Sequence, residues 1–134
     1  MKKLSLEGRY EVSGEVKGRV EEIFSAASMT DFETKAVINE SFTKYGYLMD
    51  THTAVASRVL RDYRSRTGSE TPCVIVSTAS PYKFSAAVLE ALGEELTGTD
   101  EGNMMKCHDI TGAVIPQGLA GIFKKPIVHS DVIE

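Results

Sequence analysis

A run of hydroxyl side chains between an apolar segment and a helix start is the most promising position for chemistry. Ser77, Thr78 and Ser80 lie between the apolar run at 73–77 and Pro81, a residue favoured in the first helical turn. A helix start offers free amide donors, and a hydroxyl can donate to or accept from a heterocyclic ring nitrogen. Spacing alone also fits a simpler interpretation, in which Ser77 and Thr78 end a strand and Ser80 caps a helix. On spacing alone we favour the simpler interpretation.

Two other polar side chains could act on a ligand. His52 stands at another helix start, where it is either an acid, base or ligand group or a local hydrogen-bonding partner. Asp50 lies two residues before it, but two ligands without a third do not make a metal site. Lys83 either contacts an anion at the second helix start or is simply solvated. The Cys-His-Asp run at 107–109 is predicted to be a surface loop, since catalytic triads assemble across a fold.

Composition excludes several classes of protein. The chain has 134 residues, a length that fits one domain, and a net charge of −4 that does not favour nucleic acid or anionic membranes. No apolar run is long enough to cross a membrane, and the first residues do not resemble a secretion signal. The two cysteines are not in a redox or metal-binding spacing. A cytoplasmic protein with reduced thiols is therefore expected.

The first half of the chain shows two helical patterns. Apolar residues recur at helical spacing over 15–27, after a weak strand pattern over 9–13. A second helix is predicted to begin at Thr30, because Thr30 and Glu33 have the spacing of a capping box. Gly46 is expected to end it in a left-handed conformation.

Two more helices are predicted in the middle of the chain. Either Asp50 or Thr51 can cap the third helix, which Gly68 closes. The fourth runs over 80–93, and the segment at 94–103 that follows is predicted to be polar and irregular. The chain is therefore expected to be rich in helices.

The run at 73–77 is the one strong strand pattern. It is continuously apolar and β-branched, which is typical of a parallel strand buried on both faces. Its possible partners within the chain are weak strand patterns at 113–115 and 127–128, and a brief helix is predicted from Pro116. Each unpaired buried backbone group would cost about 1–3 kcal/mol. The chain is therefore predicted to be a piece of a larger α/β domain, or to complete its sheet with a second copy of itself.

Several segments together resemble threonine synthase. The first two segments are Phe-Ser-Ala-Ala followed by Glu-Thr, within 23–34, and Asp-Thr-His-Thr-Ala-Val, within 45–56. The other two are Ser-Thr-Ala-Ser-Pro-Tyr-Lys-Phe at 77–84 and a tail within 115–127 that begins with Ile-Pro-Gln-Gly. Their order and approximate spacing are similar to those of the family. Two residues depart from the family pattern, with Thr51 in place of a proline and Ser80 in place of a histidine.

The resemblance implies a fold, a cofactor and a reaction. The fold would be the C-terminal part of a three-layer α/β structure like the tryptophan synthase β-subunit, with few strands in this segment. The family converts O-phosphohomoserine and water to threonine and phosphate, with pyridoxal phosphate as the electron sink. Thr78, with Ser77, matches the position whose hydroxyl faces the pyridine nitrogen. His52, Lys83 and Ser80 are the residues expected near the substrate.

The resemblance also implies what the chain lacks. The family's Schiff-base lysine and cofactor-phosphate loop lie upstream of the matching part, so no catalytic residue is assigned to this chain. Residues 1–134 are accordingly interpreted as one partial domain that binds no cofactor and has no activity by itself, and that self-associates through its exposed sheet edge. The alternative is a non-catalytic, stand-alone α/β module that binds a metabolite or a protein.

Overall fold

The architecture is a set of helices joined by loops. A computed structural model of the chain describes residues 2–128, with side chains from Leu4 onward. The α-helices are α1 Lys2–Glu7, α2 Gly14–Glu21, α3 Asp31–Tyr45, α4 Thr51–Thr67, α5 Ser85–Ala91 and α6 Asp100–Thr111. Short 3₁₀ turns occupy Pro81–Phe84 and Ile122–Lys124. Across 2–128, no helix combines the length and the apolar character that a bilayer crossing requires.

The start and end of α3 are formed by the residues that the sequence predicted. The Thr30 side chain accepts a 3.3 Å hydrogen bond from the Glu33 amide, and the Glu33 carboxylate accepts a 2.9 Å bond from the Thr30 amide. Gly46 follows with a φ of 65° and donates its amide to Phe42, as the predicted left-handed cap requires. Because both ends depend on contacts within four residues, their spacing in the sequence is sufficient to predict them.

The next two helix starts also follow the sequence. Asp50 caps α4 and Gly68 ends it, so that Asp50 rather than Thr51 is the capping residue. The Ser80 hydroxyl accepts a 3.3 Å bond from the Tyr82 amide, with Pro81 in the first position of the 3₁₀ turn that leads into α5. The predicted helix over 80–93 is thus confirmed as a 3₁₀ turn continued by an α-helix.

The core lies where α3 packs against α4 and α5, and where α5 packs against α6. Apolar side chains of α5 pack towards both α3 and α6, so this short helix contributes to two buried clusters. One cluster contains Val37, Ile38, Ala54 and Ala91, and the other contains Leu48, Tyr82, Val88, Leu89, Met104 and Cys107. Burial of these side chains is the main stabilising contribution in a domain of this kind.

The predicted strand at 73–77 is not formed, and residues 2–128 contain no strand. Val74 and Val76 are 91% and 71% exposed, whereas Ile75 between them is half-buried. A strand requires a hydrogen-bonded neighbour, and the weak partners at 113–115 and 127–128 form no strands either. The prediction of a buried strand is wrong for this chain, while the prediction of a helix-rich structure is confirmed.

Other predictions from local patterns are also corrected. The weak strand at 9–13 is not formed, and Pro116 begins a turn rather than a helix. The first predicted helix ends at Glu21 instead of residue 27, and none of the residues of α2 is buried. An apolar stripe without a packing partner contributes little to helix stability, so the pattern overestimated the length of this helix.

The sequence did not predict α6. Thr99 caps α6 by accepting a 3.1 Å bond from the Gly102 amide, and Gly112 ends it with a φ of 66°. The run at 107–109 lies within this helix, with Cys107 buried against α5, and is not a surface loop. The missed signal was Thr99 followed by two acidic residues in the first turn, a pattern typical of helix starts.

Candidate functional site

The buried carboxylate of Asp50 organises the start of α4. The Asp50 side chain is 1% exposed. One of its oxygens accepts hydrogen bonds from the His52 amide at 2.9 Å and the Thr53 amide at 3.4 Å. The other oxygen accepts a short hydrogen bond from the Thr53 hydroxyl. The positive end of the helix dipole and these donors together make a buried negative charge tolerable.

The ionisation of Asp50 follows from this arrangement. Burial alone would raise the pKa of the Asp50 carboxyl. The hydrogen bonds from Thr53 and from the His52 amide favour the charged form and outweigh burial, so the pKa is lowered overall. Asp50 is therefore a carboxylate that accepts hydrogen bonds over the neutral pH range.

His52 is held from two sides. Its Nδ1 lies 3.2 Å from an Asp50 oxygen, and its ring centroid lies 5.0 Å from that of Phe84 with a tilt of 57°. A carboxylate can only accept, so the hydrogen bond requires that Nδ1 carries the proton. The neutral ring then presents Nε2 as an acceptor. The His52 side chain is 63% exposed, so this nitrogen belongs to a surface site.

A hydroxyl pair joins the two segments that the sequence singled out. The hydroxyls of Thr53 and Ser77 lie 3.0 Å apart and share a hydrogen bond. With the ring contact between His52 and Phe84, this bond places the start of α4 beside the loop that precedes α5. Ser77 is consequently fixed in position, and Thr78 next to it is exposed.

The other predicted site residues lie in different surroundings. Ser80 is used as the cap of the 3₁₀ turn, which is the structural role that its spacing also allowed. Lys83 is exposed and lines a groove of about 350 Å³ together with Met104 and Phe123. His52 instead lines a groove of about 500 Å³ between α3, α4 and α5. The structure therefore brings Thr53, the neighbour of His52, into contact with Ser77, and it places His52 and Lys83 in different grooves.

Asp50 and Thr53 are the site residues that sequence reasoning did not select. The sequence indicated Asp50 only as a possible helix cap or as one of two potential metal ligands, and it gave no functional role to Thr53. Only the fold shows that Asp50 is buried, that it orients His52, and that Thr53 connects it to Ser77. A capping aspartate followed by a histidine and a threonine is the signal from which this cluster could have been found.

The described residues do not provide the geometry for the cysteine or metal chemistry that the sequence motifs raised as possibilities. Burial raises the pKa of the Cys107 thiol, which therefore does not act as a thiolate nucleophile near neutral pH. Within residues 2–128, no three His, Cys, Asp or Glu side chains come close enough to hold a metal ion.

This fold and site define a class of structure. It is a set of packed helices in which a hydroxyl-bearing loop is held against a capped helix start. Residues 53–133 match the family described as threonine synthase, C-terminal. The chain belongs to this family, which confirms the resemblance that the sequence motifs indicated.

Similar proteins are named threonine synthase or threonine synthase-like 1. The chain is 30% identical over 90 residues to human threonine synthase-like 1, covering 67% of this chain and 12% of that protein. Threonine synthase of Methylobacillus glycogenes is 33% identical over 72 residues, or 54% of this chain and 14% of that protein. That of Corynebacterium glutamicum is 32% identical over 78 residues, or 58% and 16%. The matched part thus spans about one eighth to one sixth of these relatives.

Proposed function

We propose that this chain is the C-terminal portion of a threonine synthase that converts O-phosphohomoserine and water to threonine and phosphate. The family match over residues 53–133 is the observation that carries the proposal. It is supported by the contact between the Asp50–Thr53 segment and the Ser77 loop, which are the segments most similar to the family. In the complete enzyme, the chain contributes binding residues rather than the lysine that holds the cofactor.

Pyridoxal phosphate suits the hydroxyl groups of this loop. The exposed Thr78 hydroxyl is able to donate to or accept from a ring nitrogen, and the neighbouring Ser77 is fixed by Thr53. When bound, the cofactor supplies an electron sink for the substrate's carbon chemistry. The role of this chain is then to hold Thr78 at the ring edge and to shape the adjoining surface, with His52, Lys83 and Ser80 as its proposed contacts near the substrate.

The exposure pattern of the segment at 73–77 supports the proposal that this segment is a strand of a larger sheet in the complete enzyme. Val74 and Val76 are exposed while Ile75 is half-buried, which is the alternation of a strand with one face against its own domain. We propose that the upstream part of the enzyme supplies the neighbouring strands, giving a three-layer α/β fold like the tryptophan synthase β-subunit. The apolar side chains that are exposed in this chain would then be covered.

Reconstitution tests the proposal directly. The chain would be co-expressed with the N-terminal portion of the Corynebacterium glutamicum threonine synthase, and phosphate release from O-phosphohomoserine would be measured. We expect activity from the two parts together and none from the chain alone, which lacks a lysine in the family's lysine motif. Turnover by the chain alone would contradict the proposed division of roles, and inactivity of every combination, including a covalent fusion, would count against the whole proposal.

Substitution of Thr78 tests its assigned role in the reconstituted enzyme. Thr78→Val keeps the shape but removes the hydroxyl, so activity should fall, whereas Thr78→Ser should retain most of it. A Thr67→Val variant, at the exposed end of α4, serves as a matched control. Equal activity of Thr78→Val and the parent chain would remove Thr78 from the cofactor site.

A further inference from the structure

The groove between α3, α4 and α5 has a mixed lining. Its volume is about 500 Å³, within the range of small-molecule sites. Apolar side chains form part of the wall and charged groups of both signs form the rest. The groups that matter here are Asp31, Lys35, His52, Val55, Ala87 and Glu90. This groove does not include Ser77 or Thr78, so it is separate from the proposed cofactor contacts, and it shares only His52 with the proposed substrate contacts.

An ion pair with spare hydrogen-bonding capacity crosses the groove. Lys35 Nζ lies 2.7 Å from a Glu90 carboxylate oxygen, and their side chains are 38% and 44% exposed. The hydrogen bond to Glu90 raises the pKa of Lys35, with a smaller contribution from Asp31, so the ammonium stays charged. A lysine has three donors and a carboxylate has about four acceptor positions, so each partner can bind a further group.

His52 adds a directed acceptor to the same groove. The Asp50 carboxylate accepts from Nδ1, which leaves Nε2 of the neutral ring to accept a hydrogen bond from a ligand. The Phe84 ring restricts the rotation of the imidazole. The groove therefore offers an ammonium for an anionic group, together with two carboxylates and an imidazole for a cationic or hydroxyl group.

The charged groups that line the groove favour some classes of ligand over others. A polyanion would meet the carboxylates of Asp31 and Glu90, and like charges disfavour binding. A metal ion is not favoured either, since no three ligating groups within residues 2–128 approach closely enough. A small molecule that carries one positive and one negative charge satisfies both signs.

We propose that this groove binds a free α-amino acid, whose carboxylate pairs with Lys35 and whose ammonium pairs with Glu90 and Asp31. The aliphatic part of the ligand lies against Val55 and Ala87. Asp50 acts as a positioning residue, because its hydrogen bond to Nδ1 orients the His52 ring in the groove. The site is formed entirely by this chain, so it needs neither the cofactor nor the upstream part of the enzyme.

Titration of the full chain by NMR would test the site. The probes are L-threonine and L-alanine as zwitterions, propylamine and propionate as single charges, and inorganic phosphate. We expect the amino acids to bind at roughly millimolar concentration and to shift the signals of Lys35, His52 and Ala87. Each single-charge probe should bind about tenfold more weakly, since it loses one charged hydrogen-bonding group.

Matched variants separate a binding site from a structural ion pair. Glu90→Gln and Lys35→Gln should each weaken amino-acid binding by about tenfold, whereas Lys44→Gln, which removes an ion pair to Glu40 elsewhere on α3, should not. Ala87→Met fills the groove without changing a charge, and it should abolish binding while circular dichroism stays unchanged. This variant keeps the proposal testable if the loss of the Lys35–Glu90 pair unfolds the chain.

Two results would overturn the inference. The first is equal affinity for an amino acid and a single-charge probe, and the second is binding that Ala87→Met leaves intact. Neither result depends on catalysis. Failure of the reconstituted enzyme would therefore leave this site standing, and failure of the site would leave the proposed enzyme function standing.

Discussion

A 3.0 Å hydrogen bond joins the hydroxyl of Thr53 to the hydroxyl of Ser77, a residue 24 positions further along the chain. Thr53 is itself buried in the first turn of α4, where it also bonds the Asp50 carboxylate. Through this one threonine, a buried charge, a helix start and the hydroxyl-bearing loop are linked. The position of the loop therefore depends on α4 and not on a sheet.

Replacement of Thr53 should loosen this link. Thr53→Val is nearly isosteric but removes the hydroxyl that bonds one Asp50 oxygen and the Ser77 hydroxyl, at a cost of about 1–3 kcal/mol in the free energy of unfolding. Urea unfolding would measure the loss, and amide hydrogen exchange should increase around residue 77. Thr43→Val on the exposed face of α3 is the matched control and should change stability little. Equal effects of the two substitutions would remove any special role for Thr53.

The cap of α4 should matter far more than the cap of α2. Asp50→Ala removes a buried cap and its helix-start hydrogen bonds, and capping alone accounts for about 0.5–2 kcal/mol. Ser13→Ala removes the cap of α2, a helix with no buried residue, so the global unfolding midpoint should stay unchanged. Thermal and urea unfolding of both variants would check this. A destabilisation by Ser13→Ala as large as that by Asp50→Ala would show that α2 is part of the cooperative core.

Acid should weaken the contact between α3 and α4. Hydrogen bonds from Lys44 and then Arg61 lower the pKa of Glu40 from 4.5 to about 2. Because the folded-state pKa is depressed, the stabilisation is fully present above pH 4.5 and is lost as the pH falls from 4.5 towards 2. Unfolding midpoints at pH 7 and pH 3 would measure the loss.

The matched comparison uses two Glu→Gln variants. Glu40→Gln should show a smaller loss of stability between pH 7 and pH 3 than the parent chain, whereas Glu11→Gln, in an exposed loop, should behave like the parent. The pair of Glu40 with Arg61 is surface-exposed, so high salt should reduce the difference. An unchanged acid response in Glu40→Gln would assign the effect to other carboxylates.

The exposed segment at 73–77 should cause self-association of the chain. Val74 and Val76 present apolar surface beside backbone groups that a second chain can pair with. We expect light scattering to show concentration-dependent association, and Val74→Lys with Val76→Lys to reduce it. Val114→Lys, at another highly exposed valine, controls for the added charge. A parent chain that stays monomeric at high concentration would refute the expectation.

The sequence by itself determined the helix ends. The capping box of Thr30 and Glu33, the Asp50 cap and the Ser80–Pro81 start are set by contacts within a few residues. Glycines with positive φ at 46 and 68 end two of these helices, as their spacing indicated. Such contacts are encoded in spacing because the backbone groups that they satisfy are always nearby.

Only the tertiary structure decided which patterns were buried and which distant groups met. The apolar run at 73–77 has the composition of a buried strand but remains exposed, because sheet pairing requires partners that no local pattern can supply. Conversely, α6 is stabilised by packing Met104 and Cys107 against α5, despite a weak apolar pattern. The burial of Asp50 and the bond from Thr53 to Ser77 likewise depend on how helices pack across the fold, since their partners are set by packing and not by sequence distance.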